Sequence, residues 1–369
     1  MASPTTISSD TARRLRLRAQ RLVPRGDLSP VDVVQHMVAL QGQDLPAVLR
    51  AIVVRSRPGT TLDDVRAAFD SGRLVRGWTQ RGTLFATTPS DLTALLSLTA
   101  ERVKQKTRKL RADEGIDDDV VRRAAAVARE ALADGGMSRA SLTDLWEQEG
   151  VSTEGQRGYH LIVLLALDGL LHWGPFAGRQ QLLVATRRAP SAHPPAAPGG
   201  SSPADPTDDP GRELRRIARA YFASHGPATT EDLAWWLGLP KTPVRRAVAD
   251  ISEELREVDV DGTAMLVANG RTAAVPDRTG PAGVTLVPGF DEIVLGYANR
   301  DLVASKEAMR QVVPFTNGVF RPAVLLDGRL VGTWRRAPKK GESPYALVDG
   351  VRSRDRQAVE KALSAWEHG

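Results

Sequence analysis

Two carboxamides and a carboxylate stand almost side by side in this chain: Gln41, Gln43 and Asp44, with Gly42 between the amides. A glutamine carbonyl offers two acceptor lone pairs and its amide nitrogen donates twice, so a pair of glutamines can hold and orient a water molecule. Neither is a strong base. Asp44 is the stronger acid–base group and stands as the alternative base, secondary to the amides. Apolar Met37, Val38 and Leu40 precede the cluster and Pro46 follows it, so the spacing predicts an amphipathic helix that runs into this polar patch and is stopped by the proline. Positions i and i+2 of a regular helix face different ways. Gln41 and Gln43 therefore converge only if the helix loosens at Gly42, which glycine permits. The plainer alternative is a polar helix end with two exposed glutamines.

Other chemistries find little support. The chain has no cysteine, which excludes disulfides, thiolate metal sites and a cysteine nucleophile. Its six histidines form no HxxxH or HxH pair, so no metal site is expected. No GxxxxGK[ST] loop is present, and no cofactor is expected. Asp291 and Glu292 follow an apolar stretch and could pair as carboxylates, but a structural Asp291 near Arg300 is the preferred reading. No apolar run approaches membrane-spanning length and the N-terminus is polar, which points to a cytoplasmic protein without a membrane span. The net charge is +6, and only eight of the 50 basic residues are lysine. Arginine in this excess reflects either GC-rich codon usage or a surface built to grip phosphates bidentately.

The elements that must position these residues are partly legible. At 369 residues, two or three domains are expected. Residues Ala189 to Gly211 are rich in Pro, Gly, Ser and Asp, and read as a flexible linker. After it come helices over Glu213 to Ala223, from Thr229 or Thr230, and from Pro243, then an alternating stretch turning at Asp261-Gly262. Three helices and a two-stranded wing is the order of a winged helix-turn-helix. Val120 to Ala133, a short helix through Trp146, Gln156 to Leu170 and the strands around His172 repeat that order. A third copy opens the chain, with helices over Ala12 to Leu22, Pro30 to Leu40 and Ala47 to Val54, and a strand pair over residues 74–88. Val319 to Trp334 alternates around Asp327-Gly328, a hairpin signature, and a helix over Arg354 to Trp366 follows. The predicted fold class is therefore α+β: three tandem winged helix-turn-helix units (8–95, 96–188 and 212–275), the linker over 189–211, and a β-rich segment over 276–369.

Candidate DNA contacts lie on these wings and hairpins. Arg76, Trp78, Arg81 and Thr83 sit on the first wing, where core packing is an equal alternative for the last three; His172 with Trp173 sits on the second; and Arg329, Arg335, Arg336, Lys339 and Lys340 flank the second strand of the late hairpin, where a solvated strand end is the alternative. Arg102, Lys104, Lys106, Arg108, Lys109 and Arg111 form a basic stripe on one presumed helix. Trp235 and Trp236 fit a helix packing face better than a base-stacking platform.

Four blocks together carry a resemblance: VALQGQD near residue 40, LVRGWTQRGTLFATTPSD, LVPGFDEIVLGYANRD and GVFRPAVLLDGRLVGTWRR. With them the chain resembles the bacterial winged-helix DNA glycosylases of the AlkZ/YcaQ family over nearly its whole length, the linker excepted. The resemblance implies a C-shaped scaffold of three winged helices that embraces double-stranded DNA. It implies a monofunctional glycosylase that excises N7-alkylated purines, in some members unhooking interstrand crosslinks as self-resistance in an antibiotic producer. The catalytic pair falls by resemblance on Gln41 and Gln43. Two positions depart from the family pattern: Gly42 where the middle residue is often aliphatic, and Phe85 where a histidine commonly follows the RGTL block. The competing reading is a non-catalytic winged-helix DNA-binding regulator. It leaves the amide pair idle and predicts a dimer on a palindromic site; no dimerisation heptads are evident, and a monomer is expected.

Overall fold

The computed structural model describes residues 5–186, 210–270, 283–315, 318–336 and 340–366. Lys339 and the predicted linker, apart from Pro210 and Gly211, lie outside them; those two residues already belong to a helix.

The chain opens with β1 (Thr5–Ile7) and α1 (Ser9–Ala19), then runs through α2 (Pro30–Met37), β2 (Ala39–Gln41), α3 (Leu45–Val53), α4 (Leu62–Asp70) and the hairpin β3 (Val75–Trp78) and β4 (Leu84–Thr87). Next come α5 (Pro89–Lys106), α6 (Arg108–Asp113), α7 (Asp118–Ala131), α8 (Arg139–Gln148), α9 (Arg157–Leu167) and the hairpin β5 (Leu171–Ala177) and β6 (Gln180–Ala185). Then follow α10 (Pro210–His225), α11 (Thr230–Leu237), α12 (Lys241–Ala249) and the hairpin β7 (Leu255–Val260) and β8 (Thr263–Ala268). The last part holds β9 (Val284–Val287), α13 (Glu292–Leu295), α14 (Lys306–Val312), β10 (Ala323–Leu326), β11 (Arg329–Trp334), β12 (Tyr345–Leu347) and α15 (Ser353–Ser364).

One element order recurs: helix, short strand, helix, helix, hairpin. The short strand is β2 in the first run; in the other two it is a single bridge, Met137 to Leu183 and Ala228 to Leu266. Local chemistry sets the starts. Ser29 with Asp32, Thr61 with Asp64 and Thr229 with Asp232 each form a reciprocal capping box at the head of α2, α4 and α11.

Several expectations need correction. The helix predicted to reach Leu40 ends at Met37, and Val38 at φ 64° turns the chain into a strand instead. Pro46 does not stop a helix; it sits in the first turn of α3, where its missing N–H costs nothing. The helix over Ala12 to Leu22, assigned to the first unit, packs against α10 in the third, and β1 pairs in parallel with β7 there. The first unit takes α4 as its missing helix.

The strands form three sheets, ordered β2-β4-β3-β5-β6, β1-β7-β8 and β12-β11-β10-β9. A single residue pair, Arg76 with Trp173, joins the first two hairpins into one sheet. The late hairpin turns through Asp327 (φ 45°) and Gly328 (φ 80°), as its Asp-Gly sequence demands. A Cβ at Gly328 would stand 3.0 Å from the Cβ of Arg13, so this turn lies against α1. The basic stripe also divides, because Thr107 separates α5 from α6. Lys104 pairs with Asp168, Arg111 donates to the Lys104 carbonyl, and Arg102, Lys106, Arg108 and Lys109 are exposed. No helix among the described residues is long and apolar enough to cross a membrane.

A buried ion pair ties the last part of the chain to the first. Arg55, just beyond α3, donates to both oxygens of Asp291 at 2.8 and 2.7 Å. The two side chains are 0% and 1% exposed. Gln20 and the Ala51 carbonyl take further Arg55 protons, and Asp291 also caps α13. Removing one partner of such a pair strands the other charge in a dry interior. Arg55→Ala should therefore lower unfolding free energy by about 3–5 kcal/mol in urea denaturation, with Asp291→Ala close behind.

Candidate active site

The amide pair is built on an edge strand. β2 pairs antiparallel with β4, placing Ala39 opposite Thr87, Leu40 opposite Ala86 and Gln41 opposite Phe85. The Gly42 N–H continues the ladder, donating to the Leu84 carbonyl at 2.7 Å. Hydrogen-bonded pairs alternate along an antiparallel ladder, so the Gln41 N–H points away from β4. It is taken by the Glu292 carboxylate, Oε1, at 3.0 Å.

Strand geometry replaces the loosened helix expected from sequence. β2 ends at Gln41, and Gln43 stands in a bend just beyond it, so the chain turns after Gly42 and brings the Gln43 side chain back onto β4. The Gln41 carbonyl accepts from the Thr83 hydroxyl at 3.5 Å, and the Gln43 carbonyl accepts from the Leu84 N–H at 3.4 Å. The two carboxamides thus meet consecutive residues at the start of β4. Gln41 is 8% exposed, whereas Gln43 is open to solvent. Each carbonyl keeps a second lone pair for a further partner.

Gly42 sits where a side chain would crowd the paired strand. A Cβ there would lie 3.0 Å from the Ala86 nitrogen, 3.1 Å from the Phe85 carbonyl carbon and 3.2 Å from Arg76 Cδ. Two of these neighbours are backbone of the paired strand and cannot give way singly.

Asp44 accepts from the Ala47 N–H at 2.8 Å and caps α3. It is exposed, and its charge favours the protonated forms of Arg76 and Arg50. Arg76 is 9% exposed; burial pushes its guanidinium down to about 10, with Asp44 opposing, so it stays charged at neutral pH. Its guanidinium lies 5.6 Å from the Trp173 ring, and Nε and Nη1 meet no acceptor among the described residues.

The remaining predicted contacts divide. Thr83 is half-buried and touches Gln41. Arg81, at φ 59°, lies 4.4 Å from the Trp235 ring and donates to the Trp236 carbonyl at 3.0 Å, which ties the β3–β4 turn to α11. Trp78 is 3% exposed and packs edge-on against Tyr159, so it belongs to the core. Burial drives His172 down to about 4, and its Nδ1 is 2.8 Å from the Thr186 hydroxyl; a neutral ring offers no cation to a phosphate. Arg329, Arg335 and Arg336 are exposed. Arg335 pairs with Glu342, and Arg336 lines a cleft of about 360 Å³ with Asp44, Arg50, Phe290, Phe320 and Trp334. Trp236 is fully buried, as its helix face suggested, while Trp235 lies between Arg81 and Arg300. Phe85 is buried edge-on against Trp236.

Asp291 and Glu292 do not form a carboxylate pair. Asp291 is structural, but its partner is Arg55; Arg300 instead donates to the Val294 carbonyl. The contact of Glu292 with Gln41 was beyond sequence reasoning, because nothing in either segment signals a partner 251 residues away.

An amide pair flanked by arginines on a mixed α+β scaffold is suited to hydrolysis on a polyanion, and the comparisons give that class its family. The model of the AlkZ-like DNA glycosylases matches residues 34–368, and the chain belongs to that family. It is 27% identical over 331 residues to an interstrand DNA cross-link repair glycosylase of Streptomyces sahachiroi, covering 86% of this chain and 85% of the relative. The solved structure of the Streptomyces sahachiroi DNA glycosylase AlkZ has the same fold, with a TM-score of 0.77 at 24% identity over 97% of this chain and 95% of that one. Membership sets aside the non-catalytic regulator.

Two outcomes follow from this geometry. Gly42→Ala should displace β2 from β4 and slow base excision by at least about tenfold, since sub-ångström misplacement of reacting groups is costly; single-turnover kinetics on folded protein measure it. For His172, the folded value near 4 lies below the unfolded value of about 6.5. Its neutral burial is fully tolerated above pH 6.5, and stability is lost as pH falls from about 6.5 toward 4. His172→Gln should flatten that part of the stability–pH curve in chemical denaturation.

Proposed function

We propose that this glycosylase hydrolyses the N-glycosidic bond of N7-alkylated purines in double-stranded DNA, including purines tied into interstrand crosslinks. The reading covers Gln41 and Gln43 as the catalytic pair, with Asp44 secondary. An N7-alkylated purine already carries positive charge, so it leaves without protonation. What remains is to stabilise a cationic, oxocarbenium-like sugar and to place a water. Two carboxamides suffice for that, and no metal or other cofactor is called for. Their carbonyl dipoles face the cation while their free lone pairs hold the nucleophile.

The observation that carries the reading is the meeting of Gln41 and Gln43 at Thr83 and Leu84, in a chain of this family. Arg76 supports it: its unmet buried donors would gain from a phosphate acceptor, since unpaired donors in a dry site are costly. Exposed Arg336 and half-buried Arg50, beside Asp44, extend the cationic surface. Three tandem winged helices, of which α2–β4, α7–β6 and α10–β8 are the units, with the β-rich segment after them, would form a C-shaped, DNA-embracing monomer. A crosslink ties both strands together, so an open cleft serves it better than a snug pocket. Protection of a bacterium's own DNA in the cytoplasm against a genotoxic natural product is the role this activity suits.

The test is incubation with duplex DNA bearing N7-methylguanine in the presence of a chelator, followed by detection of abasic sites. Base release is expected, with Gln41→Ala and Gln43→Ala each slower by about 100-fold or more, and Asp44→Asn retaining most activity. If Asp44→Asn abolishes excision while Gln43→Ala keeps most of it, the assignment is wrong.

A further inference from the structure

Glu292 is 1% exposed, yet it carries a carboxylate. Taking a charge out of water is expensive unless donors surround it. Its Oε1 accepts the Gln41 backbone N–H at 3.0 Å, and its Oε2 accepts from the Trp236 indole at 3.2 Å. The ring of His225, fully buried, brings Nε2 to 3.6 Å from Oε2, and that nitrogen has no hydrogen-bond partner among the described residues. Burial lowers the affinity of His225 for a proton, while hydrogen bonding and charge from Glu292 oppose it. Arg81 is the guanidinium whose charge Glu292 favours, and it spends its own hydrogen bond on the Trp236 carbonyl. The carboxylate therefore accepts two N–H hydrogen bonds, with His225 beside its second oxygen, and one of those donors belongs to a proposed catalytic residue.

The geometry explains why that donor needs a carboxylate. β2 is the outermost strand of its sheet, and Gln41 is its last residue. At that residue the N–H faces the open edge, where β4 cannot satisfy it. Glu292 takes the place of the missing strand. It is itself fixed, since Asp291 caps α13 and is clamped by Arg55.

We propose that Glu292 is a positioning residue for base excision: it pins the backbone of Gln41 along the free edge of β2 and so fixes the aim of the Gln41 carboxamide. The proposal rests on the reading of Gln41 as catalytic. A charged acceptor gives a shorter and stronger bond than a neutral one, which suits a strand of only three residues.

The test compares Glu292→Ala, Glu292→Gln and Gln41→Ala with the native chain, using thermal midpoint, affinity for duplex bearing N7-methylguanine, and single-turnover excision rate. Glu292→Ala, assayed well below its melting point, should bind DNA within about twofold of native but excise at least about tenfold more slowly, the effect of losing a charge-assisted hydrogen bond. Glu292→Gln keeps a carbonyl for the Gln41 N–H and should recover most of the lost rate. An unchanged rate in Glu292→Ala, or a rate loss matched by an equal loss of binding, overturns the proposal. If Glu292→Ala does not fold, amide hydrogen exchange on the native chain decides. The Gln41 amide should be protected like the ladder amide of Gly42, and exchange as fast as that of exposed Gln43 overturns the proposal. Gln41→Ala separates the two readings. Full activity there removes the amide-pair mechanism itself, whereas an inactive Gln41→Ala beside a fully active Glu292→Ala removes only the role of Glu292.

Discussion

A strand at the margin of a sheet has one row of backbone groups without a neighbour, and β2 is such a strand, only three residues long and placed where the amide pair begins. Its inner side is held by β4 through the Gly42–Leu84 bond, and its outer side by Glu292. Gln41 ends that strand and Gln43 stands in the bend after it, so the two carboxamides reach Thr83 and Leu84. Every other feature of the site depends on that arrangement. A side chain at Gly42 would crowd β4, and Asp44 turns the chain into α3 as soon as the second amide has been placed.

Helix α3 links the site to the buried Arg55–Asp291 ion pair. Asp44 caps its start, and Arg55, two residues past its end, grips Asp291. Asp291 precedes Glu292, which returns to Gln41. The path closes a ring of contacts from amide to helix to ion pair to carboxylate and back. A loop this short in space but spanning most of the sequence makes the site a product of the whole fold. A buried ion pair earns little net stability against an apolar replacement, so its value here lies in fixing geometry. The arginines divide: Arg81 and Arg55 hold structure, whereas Arg76 has two buried donors without an acceptor among the described residues and Arg336 is exposed.

Much of this was legible in sequence, for reasons that are local. The helix start at Thr229 and the Asp327-Gly328 hairpin follow from capping and turn chemistry confined to a few residues. Gln41 and Gln43 stand out because two amides around a glycine are unusual chemistry to place together. The family itself was readable from the four sequence blocks. What failed was non-local. Val38 at positive φ converts an apolar, helix-like run into a strand, and no residue type announces that. α1 lies beside the first unit in sequence but packs on the third. For Trp78 the sequence left wing contact and core packing open, and only its burial against Tyr159 places it in the core. Glu292 could not be assigned from its own neighbourhood, since its partner is far away in the chain.

The central claim is that the two carboxamides act as one device on one water. A double-mutant cycle in single-turnover excision of N7-methylguanine tests it most directly, with Gln41→Ala, Gln43→Ala and the doubly substituted chain. Groups that work as a unit lose nearly everything when either is removed, so the double variant should be no more than about twofold slower than the slower single variant. Losses that multiply across the two sites would mean that the amides act independently, and would contradict the account.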